Sequence, residues 1–228
     1  MKGVSMENTE TEQKMREEKG GTTHSESFVR VYRIALIGIF SAISFVLMLL
    51  EFPLPFIAPP NYGMGFSELP VMIGALALGP VSGIIIDALK ILLHFLVKGS
   101  STGGVGELAS FVIGLSYVLP AAVIYSRRKT KKNAVIGLVV SMITVVVVGS
   151  LMNAFVLLPM YAKLYFGGDI NAIVAMGTEI HAQIKDVTSF VILAVAPFNL
   201  IKYGSISVIT MLVYKRISKL LKNPMERV

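Results

Sequence analysis

The sequence predicts an all-α integral membrane protein that folds as a bundle of six transmembrane helices. Hydrophobic residues make up 54% of the 228 positions, and the mean hydropathy of the chain is +0.71. Charged residues make up 15%, whereas a soluble domain carries about 25%. The charges are also clustered, and the long uncharged stretches between them are typical of membrane spans joined by polar loops.

The residue inventory disfavours several kinds of site. The chain contains no cysteine, which excludes disulfides, thiolate metal sites and cysteine nucleophiles. Its three histidines, at positions 24, 94 and 181, form no obvious metal-binding pattern. The Walker A, HExxH and GxSxG motifs are absent, which argues against ATP hydrolysis by that route and against the corresponding enzymes.

The elements can be assigned in order along the chain. Residues 1–27 are polar and nearly free of aliphatic side chains, which predicts a disordered tail and not a signal peptide. The apolar runs that follow cover residues 34–50, 69–97, 108–125, 134–162 and 187–214. We therefore expect a membrane domain over residues 28–216 and a basic tail over residues 217–228.

The run 69–97 is too long for one span, which needs about 20 residues. It contains Gly79 and Pro80 in succession, and a Gly-Pro pair often breaks a helix. Division at this pair gives a short second helix and a full third helix. The predicted number of spans is then six instead of five.

The placement of positive charge supports six spans. The N-terminal tail, the RRKTKK loop at 127–132 and the C-terminal tail then share one side of the membrane, and together they hold most of the 21 Lys and Arg residues. By the positive-inside rule that side is the cytoplasm, so both termini of this multi-pass protein are expected there. The net charge of +7 thus reflects topology, and nucleic acid is not an expected partner.

The opposite side carries three longer loops, 51–68, 98–106 and 160–186, an arrangement that favours capture of something from outside. The first loop is rich in aromatic residues and could cover a pocket as a lid or lie in the interface as an aromatic belt. The second contains TGGVGE, which lacks the GK[ST] ending of a phosphate-binding loop. Its glycines would let the backbone approach a ligand closely.

Three polar residues inside the spans are candidates for ligand binding. Lys202 and Asn199 are three residues apart in the last span, and Asn153 lies in the preceding one. An amide offers a donor and an acceptor, and an ammonium offers three donors, which suits a planar edge of alternating C=O and N–H groups. The alternative is structural: the amides bond between helices and Lys202 extends to the interface.

Two further sets of residues within the spans have open roles. Asp87, Lys90 and His94 share one helix face, and they form either a self-neutralising pair or a proton relay. Gly38 and Ala42 in the first span form a small-xxx-small pair, which permits close packing inside the bundle or against another membrane protein.

Four stretches resemble the substrate-binding S component of energy-coupling factor (ECF) transporters, and specifically its riboflavin-binding members. They are FVLMLLEFPLPF, the segment from GFSELP to ASFVIG, SLMNAFVLLP and APFNLIKYGS. The resemblance covers residues 30–215. It implies a six-helix fold without catalytic residues or a cofactor, in a bacterial cytoplasmic membrane, with a pocket open to the outside for riboflavin as the transported ligand.

The resemblance also implies roles for individual residues. Asn153, Asn199 and Lys202 would bind the uracil-like edge of the isoalloxazine ring, which requires the last helix to begin above the membrane surface. The loops 51–68 and 98–106 would close over the ligand, with contacts from Tyr62, Met64, Gly65, Phe66, Gly103 and Gly104. Gly38 and Ala42 stand where the family more usually has an Ala-xxx-Ala pattern that docks a transmembrane coupling protein, which in turn works with two cytoplasmic ATPases.

Three alternatives stay open at this point. The chain could be a stand-alone secondary transporter driven by protons through Asp87 and His94. It could be a membrane enzyme. It could also be an S component for flavin mononucleotide or another vitamin.

Overall fold

The structure is a computed structural model that describes residues 27–58 and 62–226, and the side chains as far as residue 213. The expected tail at 1–27 lies almost entirely outside the described residues. Within them the chain forms seven helices and one short hairpin, so the all-helical prediction is confirmed. The helices are α1 Ser27–Leu49, α2 Glu68–Leu78, α3 Pro80–Lys98, α4 Val105–Arg127, α5 Lys131–Tyr165, α6 Ile170–Ile180 and α7, which has its apolar part at Val187–Val213 and continues to residue 226.

Five of these helices, α1, α3, α4, α5 and α7, are long and apolar enough to cross a membrane. The short α2 has 11 residues and measures roughly 16 Å, about half of the hydrocarbon thickness. The described part of the chain therefore agrees with a multi-pass membrane bundle. The count of six spans does not follow from helix length alone.

The predicted break at Gly79 and Pro80 is present. Gly79 adopts a positive φ of 101°, and its N–H donates to the carbonyl of Ala75 as α2 ends. Pro80 is the first residue of α3, a position where its missing N–H costs no intrahelical bond. The pair thus turns the chain sharply between two helices that pack on each other.

The expected loop at 160–186 is wrong in large part, because α5 continues to Tyr165 and a separate helix, α6, follows. The Asp169 carboxylate accepts a hydrogen bond from the Asn171 N–H at the start of α6. Ile173, Val174 and Gly177 of α6 are buried, and their 3.6-residue spacing is the apolar face that the mixed composition concealed.

The last helix begins at Val187 with a capping box, in which Asp186 accepts the Ser189 N–H at 2.7 Å. Hydrogen bonds from Ser189 hold the pKa of the Asp186 carboxyl below its usual value. The cap fixes where α7 starts, and with it the height of every polar residue further along the helix.

Both long polar-bearing helices contain a π-helical turn, at Asn153–Leu157 in α5 and at Val191–Val195 in α7. Each turn ends two residues before a proline, Pro159 or Pro197. Proline lacks an N–H and crowds the carbonyl four residues earlier, and a wider turn accommodates this locally. The two π turns contact each other in the bundle.

Within the part of the chain that the structure describes, the first helix packs on one face. Leu36, Phe40 and Ser44 are buried, whereas Gly38 and Ala42 are exposed. At the N-terminal end of α1 the Arg33 guanidinium donates to the carbonyl of Leu78, the last residue of α2. The end of α2 therefore lies level with the beginning of α1.

Gly83 allows α3 to pack closely on α2 and α4, and its replacement should destabilise the bundle. A Cβ at this position would lie 2.6 Å from Ala75 Cβ and 3.2 Å from Val118 Cγ1. Overpacking of this kind costs about 1–3 kcal/mol, so Gly83→Ala should lower the melting temperature of the purified protein. Gly38→Ala is the matched control, because no atom of the described residues lies within 4 Å of its added Cβ. Equal melting temperatures of the two variants would contradict the close packing at Gly83.

Candidate ligand-binding site

A cavity of about 170 Å³ lies beneath the loop between α1 and α2. This loop folds as a hairpin in which β1 (Phe52–Pro53) pairs antiparallel with β2 (Gly63–Met64). The cavity is lined by Tyr62 from the hairpin and by the three polar residues singled out in the spans, Asn153, Asn199 and Lys202. The structure thus brings together residues from three parts of the chain that are distant in sequence.

Asn153 is the first residue of the π turn of α5, and both polar atoms of its side-chain amide form hydrogen bonds. Its Nδ2 donates to the Gly149 carbonyl at 2.8 Å, one turn earlier in the helix. Its Oδ1 accepts a hydrogen bond from the Tyr62 hydroxyl at 2.7 Å. Burial raises the pKa of the Tyr62 phenol above its usual value, with a smaller contribution from Tyr161, so the phenol stays protonated and remains a donor at any physiological pH.

Lys202 connects α7 to the hairpin. Its Nζ donates to the Gly63 carbonyl at 2.9 Å and lies 3.4 Å from Glu51 Oε1. The side chain is 14% exposed, so the ammonium lies inside the cavity wall and does not extend to the surface. Glu51 was not among the predicted residues, because a carboxylate at the start of a loop carries no distinctive sequence signal.

Asn199 is the free member of the group. It is 7% exposed, and its Nδ2 has no hydrogen-bond partner among the described residues. Gly149 of α5 provides the space for it, since a Cβ on that glycine would lie 2.8 Å from Nδ2. A buried amide donor without a partner is costly, and here it lies at the wall of a cavity that a ligand could fill.

Aromatic side chains enclose the polar groups. The Tyr62 ring meets Phe198 edge-to-face at 5.6 Å between centroids. Phe198, Tyr161 and Tyr203 also line the cavity. The site therefore combines apolar ring surface with a small number of directional hydrogen-bonding groups, which is the usual composition of a small-molecule pocket.

Two charged residues of the cavity wall, Glu68 and Lys90, were not proposed as ligand contacts. Glu68 was treated as part of an outer loop, yet it begins α2 and is 6% exposed. Lys90 Nζ lies 2.5 Å from Glu68 Oε1 and 2.6 Å from Asp87 Oδ1. The expected Asp87–Lys90 pair is thus present, with a second carboxylate that the sequence did not reveal.

Five of the predicted ligand contacts do not line the cavity. Met64 is buried with Ala58 and Phe198 under the hairpin, and Phe66 packs beside them. A Cβ on Gly65 would collide with the Glu51 side chain, so this glycine gives room to the carboxylate. Contacts from these residues to a ligand stay a prediction.

Gly103 and Gly104 are the remaining two of the five, and they have a local role. Both have positive φ, 62° and 91°, in a turn where Ser100 Oγ accepts the Gly104 N–H and donates to Glu107 at 2.7 Å. This turn caps the start of α4. Their predicted approach to a ligand would require the loop to move.

Comparisons with known proteins identify the family. Residues 32–214 match the family model described as the substrate-specific component of ECF transporters. This chain belongs to that family. Among its described residues, the S component has no cluster of three or more His, Asp or Glu side chains that could hold a metal ion.

The relatives agree with one another. The S component is 34% identical to the riboflavin transporter RibU of Staphylococcus aureus over 190 residues, which cover 83% of this chain and 92% of the relative. It is 28% identical to the riboflavin transporter FmnP of Bacillus subtilis, over 82% of this chain and 92% of that protein. A solved S component of a bacterial ECF transporter superposes with a TM-score of 0.65 at 34% identity, covering 85% of this chain and 99% of the other.

The ion pair between Lys202 and Glu51 should be measurable as a coupling energy in a double-mutant cycle. Lys202→Met and Glu51→Gln each remove one member of a partly buried ion pair, and the double variant should lose less stability than the two single losses combined, by about 1 kcal/mol. Thermal unfolding of the four proteins measures this difference. Lys163→Met is the control substitution, because Lys163 is exposed and forms no ion pair with Glu51 among the described residues. The stability losses of Lys163→Met and Glu51→Gln should therefore add up in the double variant. Strict additivity of the Lys202 cycle would contradict the contact.

Proposed function

We propose that this S component captures riboflavin in the cavity beneath the hairpin and delivers it to an ATP-driven ECF transporter, with no chemistry of its own. The observation that carries the proposal is the convergence of Asn153, Asn199 and Lys202 on one cavity lined by aromatic rings. The names of the S. aureus and B. subtilis relatives support the same ligand. Riboflavin is the transported ligand in this proposal, and no cofactor takes part.

The polar groups suit the uracil-like edge of the isoalloxazine ring. That edge alternates carbonyl oxygens with an N–H, so it needs both donors and an acceptor. The free Nδ2 of Asn199 and the ammonium of Lys202 supply donors, and Asn153 Oδ1 supplies the acceptor once the Tyr62 hydroxyl leaves it. The remaining face of the flavin would lie against Phe198 and the neighbouring tyrosines.

The hairpin acts as a lid in this proposal. A drug-sized ligand occupies a pocket of roughly 300–1,000 Å³, and the cavity has about 170 Å³. The Tyr62–Asn153 and Lys202–Gly63 hydrogen bonds hold the hairpin over the cavity. Riboflavin would replace both bonds and displace the hairpin outward, which would also let Met64, Gly65 and Phe66 contact it; Gly103 and Gly104 would reach it by movement of their own loop.

The proposed topology has six spans, with α2 as a shortened second span. The Arg33–Leu78 contact supports it, because α2 begins at the cavity and ends level with the N-terminal end of α1. The hairpin then fills the half of the membrane that α2 does not cross. Both termini and the basic loop between α4 and α5 would face the cytoplasm.

The exposed face of α1 is the proposed docking site for a transmembrane coupling protein, which would work with two cytoplasmic ATPases. Gly38 and Ala42 lie on this face, and no described residue comes within 4 Å of a Cβ placed on Gly38. Small residues let a second helix approach closely in a membrane, where dispersion and close backbone contact drive association.

Riboflavin binding should be visible as quenching of flavin fluorescence when the purified protein is titrated. Asn199→Ala and Lys202→Ala each remove a donor to the ring edge, and each should weaken binding about 10-fold or more, since a hydrogen bond to a buried site is worth about 1–3 kcal/mol. Lys163→Ala, an exposed lysine near the end of α5, should bind like the parent.

No quenching at micromolar riboflavin would refute riboflavin as the ligand, and unchanged affinity in both variants would make the polar cluster structural. Flavin mononucleotide, measured in parallel, tests the alternative ligand. Uptake by this chain alone in liposomes that responds to a pH gradient would instead favour a stand-alone secondary transporter.

Docking of the coupling protein can be tested separately from riboflavin binding by placing bulky side chains on the exposed face of α1. Gly38→Leu together with Ala42→Leu should abolish ATP-dependent riboflavin uptake in cells while riboflavin affinity of the purified variant stays within about twofold, because the bulky side chains keep a partner helix away. Ile39→Leu, a volume-conserving change on the same exposed side of α1, is the control. Full uptake by the double variant would place the docking surface elsewhere.

A further inference from the structure

A cluster of three ionisable side chains lies against the cavity, where α2, α3 and α4 meet. Glu68 of α2 and Asp87 of α3 both contact the Lys90 ammonium, at 2.5 and 2.6 Å. Glu68, Asp87 and Lys90 are 6%, 0% and 1% exposed. Glu68 and Lys90 line the cavity, so the cluster has a route to water through it.

The charges of this cluster do not balance when both carboxyl groups are ionised. Two carboxylates then share one ammonium, which leaves one negative charge inside an apolar bundle, and such a charge is strongly disfavoured. The next cation at the cavity, Lys202, is already paired with Glu51. No other Lys or Arg among the described residues forms an ion pair with either carboxylate of the cluster.

The titratable groups facing the cluster cannot supply the missing positive charge. Tyr117 of α4 and Tyr203 of α7 lie with their ring centroids 4.7 Å apart and their planes tilted by 45°, and a phenol is neutral or negative. Glu51 adds a further negative charge at the cavity. His94 lies one turn along α3 from Lys90 and forms no ion pair with Glu68 or Asp87 among the described residues.

Three oxygens of the cluster also lack a hydrogen bond. Glu68 Oε2, Asp87 Oδ1 and Asp87 Oδ2 are buried and have no hydrogen-bond partner within the described part of the chain, although Asp87 Oδ1 is in ion-pair contact with the Lys90 ammonium. On the far side of Asp87 the helix α4 presents Gly114, where a Cβ would lie 2.8 Å from Oδ2. The carboxyl group therefore lies against a residue that offers it no side-chain donor.

We propose that Glu68, Asp87 and Lys90 form a proton-binding site that holds one exchangeable proton, shared between the two carboxyl groups, beside the ligand cavity. One proton makes the cluster neutral as a whole. It also converts one carboxylate into a hydrogen-bond donor, which can satisfy an oxygen that is otherwise unpaired. Its exchange with the outside passes through the cavity, at Glu68.

The proton site is coupled to the ligand, and this part rests on the proposed riboflavin function. A flavin that fills the cavity removes the water that would stabilise an ionised Glu68. At pH values where the ligand-free site has started to lose its proton, binding of the flavin is then accompanied by uptake of up to one proton. In that range the affinity for the flavin falls by at most about tenfold for each unit by which the pH rises. Opening of the hairpin lid then allows the ligand and the proton to exchange with the outside at the same time.

Infrared spectroscopy of the ligand-free protein tests the site directly. The wild type should show the C=O stretching band of a protonated carboxyl at neutral pH, shifted in D₂O. Asp87→Asn and Glu68→Gln should each abolish the band, because either change leaves one carboxylate balanced by Lys90. Glu107→Gln, a carboxylate of the α4 cap outside the cluster, should keep it.

The wild type alone also decides the question if the variants fail to fold. Labelling all Asp or all Glu carboxyls with ¹³C should move the band in both cases when the proton is shared. Absence of the band, its persistence in either cluster variant, or a band insensitive to both labels would overturn the proposal. Because no flavin is present, such a failure is distinct from failure of riboflavin binding, which the fluorescence titration reports.

Discussion

The buried ammonium of Lys90 is the constraint on which the arrangement of the bundle depends. A lysine inside an apolar bundle must find its counter-charge within the chain, and Glu68 and Asp87 supply it from two helices. This requirement places the first residue of α2 next to the middle of α3. The start of α2 is then fixed at the depth of the cavity, which leaves the hairpin, and not another helical turn, to roof the site. Gly79 and Gly114 accommodate the consequences, one by turning the chain and the other by leaving room for Asp87.

The two prolines of α5 and α7 have a comparable effect on the opposite wall. Each follows a π-helical turn, and the two turns meet. A wider turn displaces the side chains that follow it relative to a regular helix. This explains how Asn199, which is far along α7, comes level with Gly149, one turn before Asn153. The sequence predicted that Asn153 and Asn199 could share a pocket only if the last helix began above the membrane surface. In the structure, the capped start at Val187 and the π turns together bring both amides to the same cavity.

Much of this could be predicted from residues that are unusual for their surroundings. Asn153, Asn199, Lys202 and Asp87 stand out in uncharged runs, and the Gly-Pro pair marks a break by its own backbone chemistry. Glu51 and Glu68 do not stand out, because a carboxylate at the end of an apolar run is ordinary and only the fold brings it to a lysine. Gly103 and Gly104 show the reverse difficulty: glycine permits both a tight turn and close approach to a ligand, and the sequence cannot separate them. The helix α6 was missed because its 11 residues are too few to span a membrane and lie in a segment of mixed composition.

The polar groups of Asn153 and Lys202 in the cavity already have partners within the chain, and this determines what a ligand can gain there. Tyr62 occupies the Asn153 acceptor, and Gly63 and Glu51 occupy the Lys202 ammonium. A ligand that replaces these bonds exchanges one hydrogen bond for another, so the net gain from each is small. Among Asn153, Asn199 and Lys202, only Asn199 keeps an unpaired donor in the described structure. Affinity must then come chiefly from burying a large planar surface against the aromatic wall, while the polar groups reject ligands that cannot restore the bonds they break. A broad, flat, hydrogen-bonding ring system meets both conditions, and a small polar solute meets neither.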